Sequence, residues 1–125
     1  MKYKIMVVDD SRIIHADMEH MLAGSEFEIV GVCRTGEEAL EHYEELRPDL
    51  VTLDVVMPGI DGLETCRLLR DRWPEAAIYM VSSMAYDDMI DEAVAAGAKG
   101  FLFKPFTQEG LLEALRNAVK CSGSK

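Results

Sequence analysis

The chain has 125 residues and a formal net charge of −10, with 13 lysine and arginine residues against 23 aspartate and glutamate residues. This length fits a single domain, and a hydrophobic content of 49% is typical of a chain that folds around a core. The negative charge repels phosphate backbones and anionic lipid surfaces, which argues against direct binding to nucleic acid or to membranes.

Five short apolar runs alternate along the chain with five amphipathic segments of helical spacing. In chain order the runs cover residues 5–8, 29–33, 50–53, 78–81 and 101–103, and the amphipathic segments cover 13–23, 37–46, 63–73, 87–96 and 108–119. The runs do not alternate between polar and apolar residues, which predicts strands that are buried on both faces. Strands that alternate with helices predict a parallel sheet covered by helices on both sides. We therefore expect one doubly wound α/β domain over residues 1–121, followed by a flexible tail over 122–125.

Polar side chains follow the carboxyl ends of four predicted strands. In an open parallel sheet these ends share one edge, where ligands bind. Each side chain could simply cap a helix, satisfy a turn or pair with a neighbour. Acids, a hydroxyl and an amine at four strand ends of one sheet nevertheless indicate a site. The residues are Asp9 and Asp10 after strand 1, Asp54 after strand 3, Ser82 at the end of strand 4 and Lys104 after strand 5.

The residue types at this edge favour phosphoryl transfer. Three crowded carboxylates raise a pKa or require a cation, and oxygen ligands of this kind suit Mg²⁺. A carboxylate can accept a phosphoryl group while a metal and a lysine neutralise the developing charge. Asp54 is the best candidate acceptor because it is a single acid at the end of the central strand. Pro58, Gly59 and Gly62 then predict a tight turn that keeps this acid accessible.

Four motifs in this order resemble the receiver domains of bacterial two-component response regulators, the CheY-like family. They are "VVDDSR" (7–12), "LDVVMPGIDG" (53–62), "MVSS" (80–83) and "KPF" (104–106). The resemblance covers the whole chain and implies a flavodoxin-like (βα)5 sandwich with strand order 2-1-3-4-5. It also implies a phosphoacceptor switch rather than an enzyme.

The resemblance assigns a role to each residue of the metal and acceptor site. Asp54 would receive the phosphoryl group from a phosphohistidine on a histidine kinase or a phosphotransfer protein. Asp10, Asp54 and the backbone carbonyl of Val56 would bind Mg²⁺ directly, and Asp9 would act through a metal-bound water. No other cofactor is implied.

The resemblance also implies how the signal leaves the site. Ser82 would bind a phosphoryl oxygen and Lys104 would pair with the phosphate. Movement of Ser82 would let the Phe101 ring swing inward, which changes the surface of helix 4, strand 5 and helix 5 (86–119) that a protein partner reads. Phe101 stands where tyrosine is common. Val56 and Met84 carry no polar group that could position water, so we predict slow self-dephosphorylation.

Several alternatives compete with this interpretation. A haloacid dehalogenase-type phosphatase needs a second aspartate two residues after its nucleophile, and Val56 occupies that place. A flavodoxin-like electron carrier needs a phosphate cradle after strand 1, where this chain has the acidic "DDSR". Within the family we favour a stand-alone receiver, because the chain provides a complete fold. A module cut from a DNA-binding regulator or another output-domain protein stays open, as does a dimer formed on phosphorylation.

Other polar and sulfur-containing residues receive structural interpretations. His15, His20 and His42 lie on predicted helices without metal-ligand spacing, so we expect them on solvated helix faces. Cys33 and Cys66 are expected as free, buried side chains, because no CxxC pairing occurs. No long apolar segment or signal-peptide pattern is visible, and we therefore expect a cytoplasmic protein.

Overall fold

The computed structural model describes residues 3–55, 59–82, 87–104 and 106–123, and it describes the backbone alone for residues 87–89 and 120–123. Strands and helices alternate as the sequence predicts. The strands are β1 (Tyr3–Val8), β2 (Phe27–Cys33), β3 (Leu50–Asp54), β4 (Ile78–Ser82) and β5 (Gly100–Phe103). The helices are α1 (Arg12–Leu22), α2 (Gly36–Leu46), α3 (Gly62–Arg72), α4 (Asp87–Ala95) and α5 (Gln108–Gly123).

The five strands form one parallel sheet in the order β2-β1-β3-β4-β5. The flavodoxin-like fold and the strand order implied by the resemblance are thus confirmed. The chain runs from β1 outward to β2 and then crosses back to β3, so the strand order reverses between β1 and β3. In open α/β sheets, ligands bind at the carboxyl edge of such a reversal point.

Side chains of alternate strand residues bury two separate hydrophobic layers. On one face of the sheet, Ile5 and Val7 pack with Met18 of α1 and Leu115 of α5. The opposite face packs against α2, α3 and α4 through a cluster that includes Leu53, Tyr43, Leu69 and Ala93. Because both faces are covered, the strands are nearly continuously apolar, which is the pattern that the sequence shows. Among the described residues, no helix has the length and hydropathy needed to cross a bilayer.

Helices α1, α2 and α3 begin directly after a capping residue and not at the first apolar residue. Ser11, Thr35 and Asp61 each accept a hydrogen bond from a backbone N–H three residues later, which starts α1, α2 and α3 one residue before the predicted positions. After α1 and α4, Gly24 and Gly97 adopt φ values of 79° and 101°, the left-handed conformation that favours glycine. Helix α5 continues to residue 123, and residues 124 and 125 lie outside the described part of the chain.

Gly62 joins the end of β3 to α3 at very short range. Its N–H donates to the carbonyl of Val55 at 2.7 Å. A Cβ atom added to Gly62 would lie 2.1 Å from the carbonyl oxygen of Asp54 and 2.7 Å from the Cα of Val55. Since both contacts are with backbone atoms, no side-chain rotation could relieve them. Glycine at this position therefore allows α3 to pack directly behind Asp54.

We predict that Gly62→Ala lowers the free energy of unfolding by about 1–3 kcal/mol, the usual cost of overpacking a tight site. Gly110→Ala is a matched control in the first turn of α5, because its Cβ would meet only the Thr107 hydroxyl, at 3.3 Å. Alanine favours a helix over glycine, so we expect this control to change stability by less than about 1 kcal/mol. Urea denaturation followed by Trp73 fluorescence measures both variants. Equal stabilities for the two variants would contradict the close packing at Gly62.

Candidate functional site

Three carboxylates meet at the carboxyl edge of the sheet, at the β1/β3 reversal point. Asp9 and Asp10 follow β1, and Asp54 ends β3. One ligand oxygen from each residue lies within 4.8 Å of the others. Asp9 and Asp54 are buried, whereas Asp10 is exposed to solvent. This arrangement has the oxygen donors and the partial solvent access that a Mg²⁺ site requires.

Asp9 is held by neighbours from three different parts of the fold. Its N–H donates to the carbonyl of Cys33 at the end of β2, at 2.9 Å. One carboxylate oxygen accepts from the N–H of Ser11 at 2.9 Å, and the other accepts from the Lys104 ammonium at 2.8 Å. The side chain is therefore a fixed part of the site, and Asp10 is the more accessible acid of the pair.

Lys104 supplies the positive charge of the site. Its ammonium nitrogen lies 2.8 Å from Asp9 Oδ2 and 3.5 Å from Asp54 Oδ1. Its backbone N–H donates to the carbonyl of Ser82 at 2.8 Å, which extends the β4/β5 pairing to the edge of the sheet. Strand pairing therefore delivers the ammonium group to the carboxylates, and only 16% of the lysine side chain is exposed.

The environment of Asp54 opposes its ionisation. Burial of the carboxyl group and the nearby charge of Asp9 raise the pKa of Asp54 from 3.8 to about 6, although the Lys104 ammonium acts in the opposite direction. Burial is the largest of these effects, and the charge of Asp10 adds a weaker repulsion to that of Asp9. A bound cation would relieve the repulsion and favour the ionised form of Asp54.

Ser82 and Phe101, predicted as switch residues, lie on the neighbouring strands β4 and β5. Ser82 ends β4, next to β3, and its side chain is buried. The Phe101 side chain is half-buried against the cluster formed by α2, α3 and α4, and its ring centroid lies 5.2 Å from that of Phe103. Val56 was predicted to bind the metal through its carbonyl, and the apolar side chains of Val56 and Met84 were predicted to slow dephosphorylation. Both residues lie outside the described part of the chain.

The turn between β3 and α3 is supported from α2. Gly59 adopts a φ of 79°, as expected for a glycine in a tight turn. The N–H of Ile60 donates to the Glu37 carboxylate at 3.3 Å. Glu37 was not predicted to contact this turn, because helical spacing marks it only as an exposed residue in the first turn of α2. The aspartate of the turn, Asp61, caps α3 and is not part of the acid cluster.

The prediction for His15 is wrong. Its side chain is half-buried, and Nε2 lies 2.5 Å from the backbone carbonyl oxygen of Asp9. The signal available in the sequence was its position in the first turn of the helix that follows the acid pair. His20 is exposed, as predicted, whereas His42 is only partly exposed, with 46% of its side chain accessible. Cys33 and Cys66 are free and buried, and burial raises the pKa of both thiols to about 11.

Comparisons with known proteins agree with this fold and site. Residues 5–116 match the response regulator receiver domain family. The chemotaxis protein CheY of Listeria monocytogenes is 38% identical over 94% of this chain and 98% of its own. CheY of Bacillus subtilis is 35% identical over 95% of this chain and 99% of its own.

The solved structures give the same result. A chain in the crystal structure of the CheX–CheY–BeF3–Mg²⁺ complex from Borrelia burgdorferi superimposes with a TM-score of 0.89 and 25% identity, over 94% of this chain and 89% of that one. The acid cluster, the lysine and the doubly wound fold therefore have a common explanation. The protein belongs to the response regulator receiver domain family, with a CheY-like fold.

Proposed function

We propose that this protein is a Mg²⁺-dependent phosphoacceptor switch, in which Asp54 takes a phosphoryl group from a phosphohistidine of a sensor histidine kinase or a phosphotransfer protein. The main support is the acid cluster, in which one carboxylate oxygen from each of three aspartates lies within 4.8 Å of the others. The Lys104 ammonium lies 3.5 Å from Asp54. This combination provides an acceptor, oxygen ligands for a hard cation and a positive charge for the phosphoryl group.

The residues present fit a Mg²⁺ ion. Three ionised carboxylates and one ammonium carry a net charge of about −2 by simple addition, which a divalent cation balances. Asp10 and Asp54 would bind the ion directly together with the Val56 carbonyl, and Asp9 would act through a water. The Ser11 N–H and the Lys104 ammonium already donate hydrogen bonds to the two carboxylate oxygens of Asp9. These bonds support a direct role for Asp10, because its carboxylate is the more available ligand. Bound Mg²⁺ supplies charge neutralisation at the transferring phosphoryl group.

The transfer step uses the carboxylate of Asp54 as the nucleophile. A carboxylate oxygen forms a bond to phosphorus as the bond between phosphorus and the donor's imidazole nitrogen breaks, and the donor histidine leaves with the bonding electron pair. Lys104 would then pair with a phosphoryl oxygen. Ser82, buried at the adjacent strand end, would donate its hydroxyl hydrogen to another.

The output would pass through the surface formed by α4, β5 and α5. Ser82 and Lys104 belong to β4 and to the residue after β5, so their movement toward a phosphoryl group would displace the neighbouring loop. The Phe101 ring could then pack further inward. Phe103 and Val94 expose apolar side chains on this surface, with 44% and 62% exposure, and would form part of what a protein partner reads.

The proposal also covers dephosphorylation, location and assembly. Slow self-dephosphorylation follows from the apolar side chains of Val56 and Met84, with the domain acting as a regulatory phosphoacceptor and not as an enzyme. The proposed location is the cytoplasm, and the acidic surface still argues against direct contact with nucleic acid or membrane. We propose that the receiver acts on a protein target as a monomer or as a dimer formed on phosphorylation, and action through a joined output domain is the alternative.

Incubation with Mg²⁺ and acetyl phosphate is expected to add the mass of one phosphoryl group, measured by intact-mass spectrometry. Asp54→Asn should remove the addition, because an amide is not a comparable nucleophile. Omission of Mg²⁺ should suppress it in the wild-type chain.

Asp61→Asn is the matched control for this experiment. Asp61 is an acid of the adjacent turn that caps α3, and asparagine caps helices equally well. We expect this variant to be phosphorylated like the wild type. A folded wild-type chain that binds Mg²⁺ but gains no mass, or an Asp54→Asn variant that still gains it, would contradict the proposed function.

The raised pKa of Asp54 predicts how stability depends on pH without Mg²⁺. Between its ordinary pKa of 3.8 and about 6, the folded chain holds this proton more tightly than the unfolded chain, so the free energy of unfolding falls as pH rises. Asp54→Asn should remove this loss and be more stable than the wild type by on the order of 2 kcal/mol at neutral pH. The gain should shrink below about pH 4. Urea denaturation across this range measures it, and a gain independent of pH would contradict the prediction.

A further inference from the structure

His15 reaches back from the first turn of α1 to the end of β1. Its Nε2 atom lies 2.5 Å from the carbonyl oxygen of Asp9. A carbonyl oxygen can only accept a hydrogen bond, so Nε2 must carry the hydrogen and donate it. The contact therefore fixes the tautomer of the neutral ring. It also distinguishes His15 from His20, which lies on the same helix and is exposed.

This bond completes the set of contacts around Asp9. The N–H of Asp9 donates to Cys33, and its two carboxylate oxygens accept from Ser11 and Lys104. Among the described residues, His15 is the donor that holds the remaining polar atom, the carbonyl oxygen. Strand pairing does not fix this carbonyl, because the β1 ladder ends at Val8.

The orientation of the Asp9 carbonyl constrains the direction in which Asp10 leaves the end of β1. The carbonyl of Asp9 and the N–H of Asp10 belong to one planar peptide group. A hydrogen bond that fixes the direction of this carbonyl therefore also fixes the direction of the Asp10 N–H. Within the described part of the chain, no hydrogen bond or ion pair is formed by the Asp10 carboxylate, which is exposed. The direction of Asp10 therefore depends on the backbone that carries it.

We propose that His15 is a positioning residue for the Mg²⁺ site, which orients the Asp9–Asp10 peptide so that Asp10 faces Asp54. This inference rests on the proposed function. His15 would not contact the metal or the phosphoryl group. It acts on the ligand through the backbone, as residues behind metal ligands commonly do, and loss of such partners typically weakens metal binding by about 10–100-fold.

Three variants test the role of the ring nitrogen. His15→Phe keeps a ring of similar size but has no donor, and we expect its Mg²⁺ dissociation constant to rise roughly tenfold. His15→Gln keeps an N–H donor on a side chain of comparable reach and should bind Mg²⁺ more tightly than His15→Phe. His20→Ala removes the exposed histidine of the same helix and should bind like the wild type. Isothermal titration calorimetry with Mg²⁺ alone provides the dissociation constants.

A second measurement detects the contact without metal. Long-range ¹H–¹⁵N correlation spectra at about pH 8, where an ordinary histidine ring is neutral, should show the Nε2–H tautomer for His15. An Nδ1–H tautomer would overturn the inference. Equal Mg²⁺ affinity of His15→Phe and wild type would also overturn it, and would leave the proposed function intact. A wild-type chain that does not bind Mg²⁺ would overturn both.

Discussion

The ammonium group of Lys104 lies between two buried carboxylates, 2.8 Å from Asp9 and 3.5 Å from Asp54, and the rest of the site depends on this contact. One cation cannot balance three acids within 4.8 Å of one another, so the site retains negative charge. Burial and the charge of Asp9 together raise the pKa of Asp54, so part of this shift reflects the imbalance. The same imbalance makes the site suited to a divalent cation and to a phosphoryl group that Lys104 can pair with. The electrostatic cost of the site and its proposed phosphoryl chemistry would thus have one origin.

The fold creates this crowding by strand pairing. β1 and β3 are neighbours at the point where the strand order reverses, so the acids that follow or end them meet at one edge. β4 and β5 then bring Ser82 and Lys104 to the same edge, since the Lys104 N–H pairs with the Ser82 carbonyl. The two hydrophobic layers pack against the two faces of the sheet, so the polar site residues lie at its carboxyl edge and not in the core. Gly62 keeps α3 close behind Asp54 without filling the site.

The sequence predicts most of this edge because strand ends in a parallel sheet share one side. Asp54 and Lys104 could be placed together from that rule alone, without knowledge of their distance. The rule does not say which acid pairs with the lysine, because the answer depends on side-chain rotamers and on the Ser11 N–H, which holds Asp9 in place. His15 was misplaced for a related reason. Helical spacing gives the direction in which a side chain leaves a helix, but it does not show that a ring in the first turn folds back onto the preceding strand.

Proton release on Mg²⁺ binding would test the central claim most directly. If burial and the nearby charge of Asp9 hold the pKa of Asp54 at about 6, then about half of the molecules carry that proton at about pH 6. Calorimetric titration in two buffers of different ionisation enthalpy should then detect release of about half a proton per Mg²⁺ bound at that pH, and almost none at about pH 8. Mg²⁺ binding with the same proton count at both pH values, or no binding at all, would contradict the account.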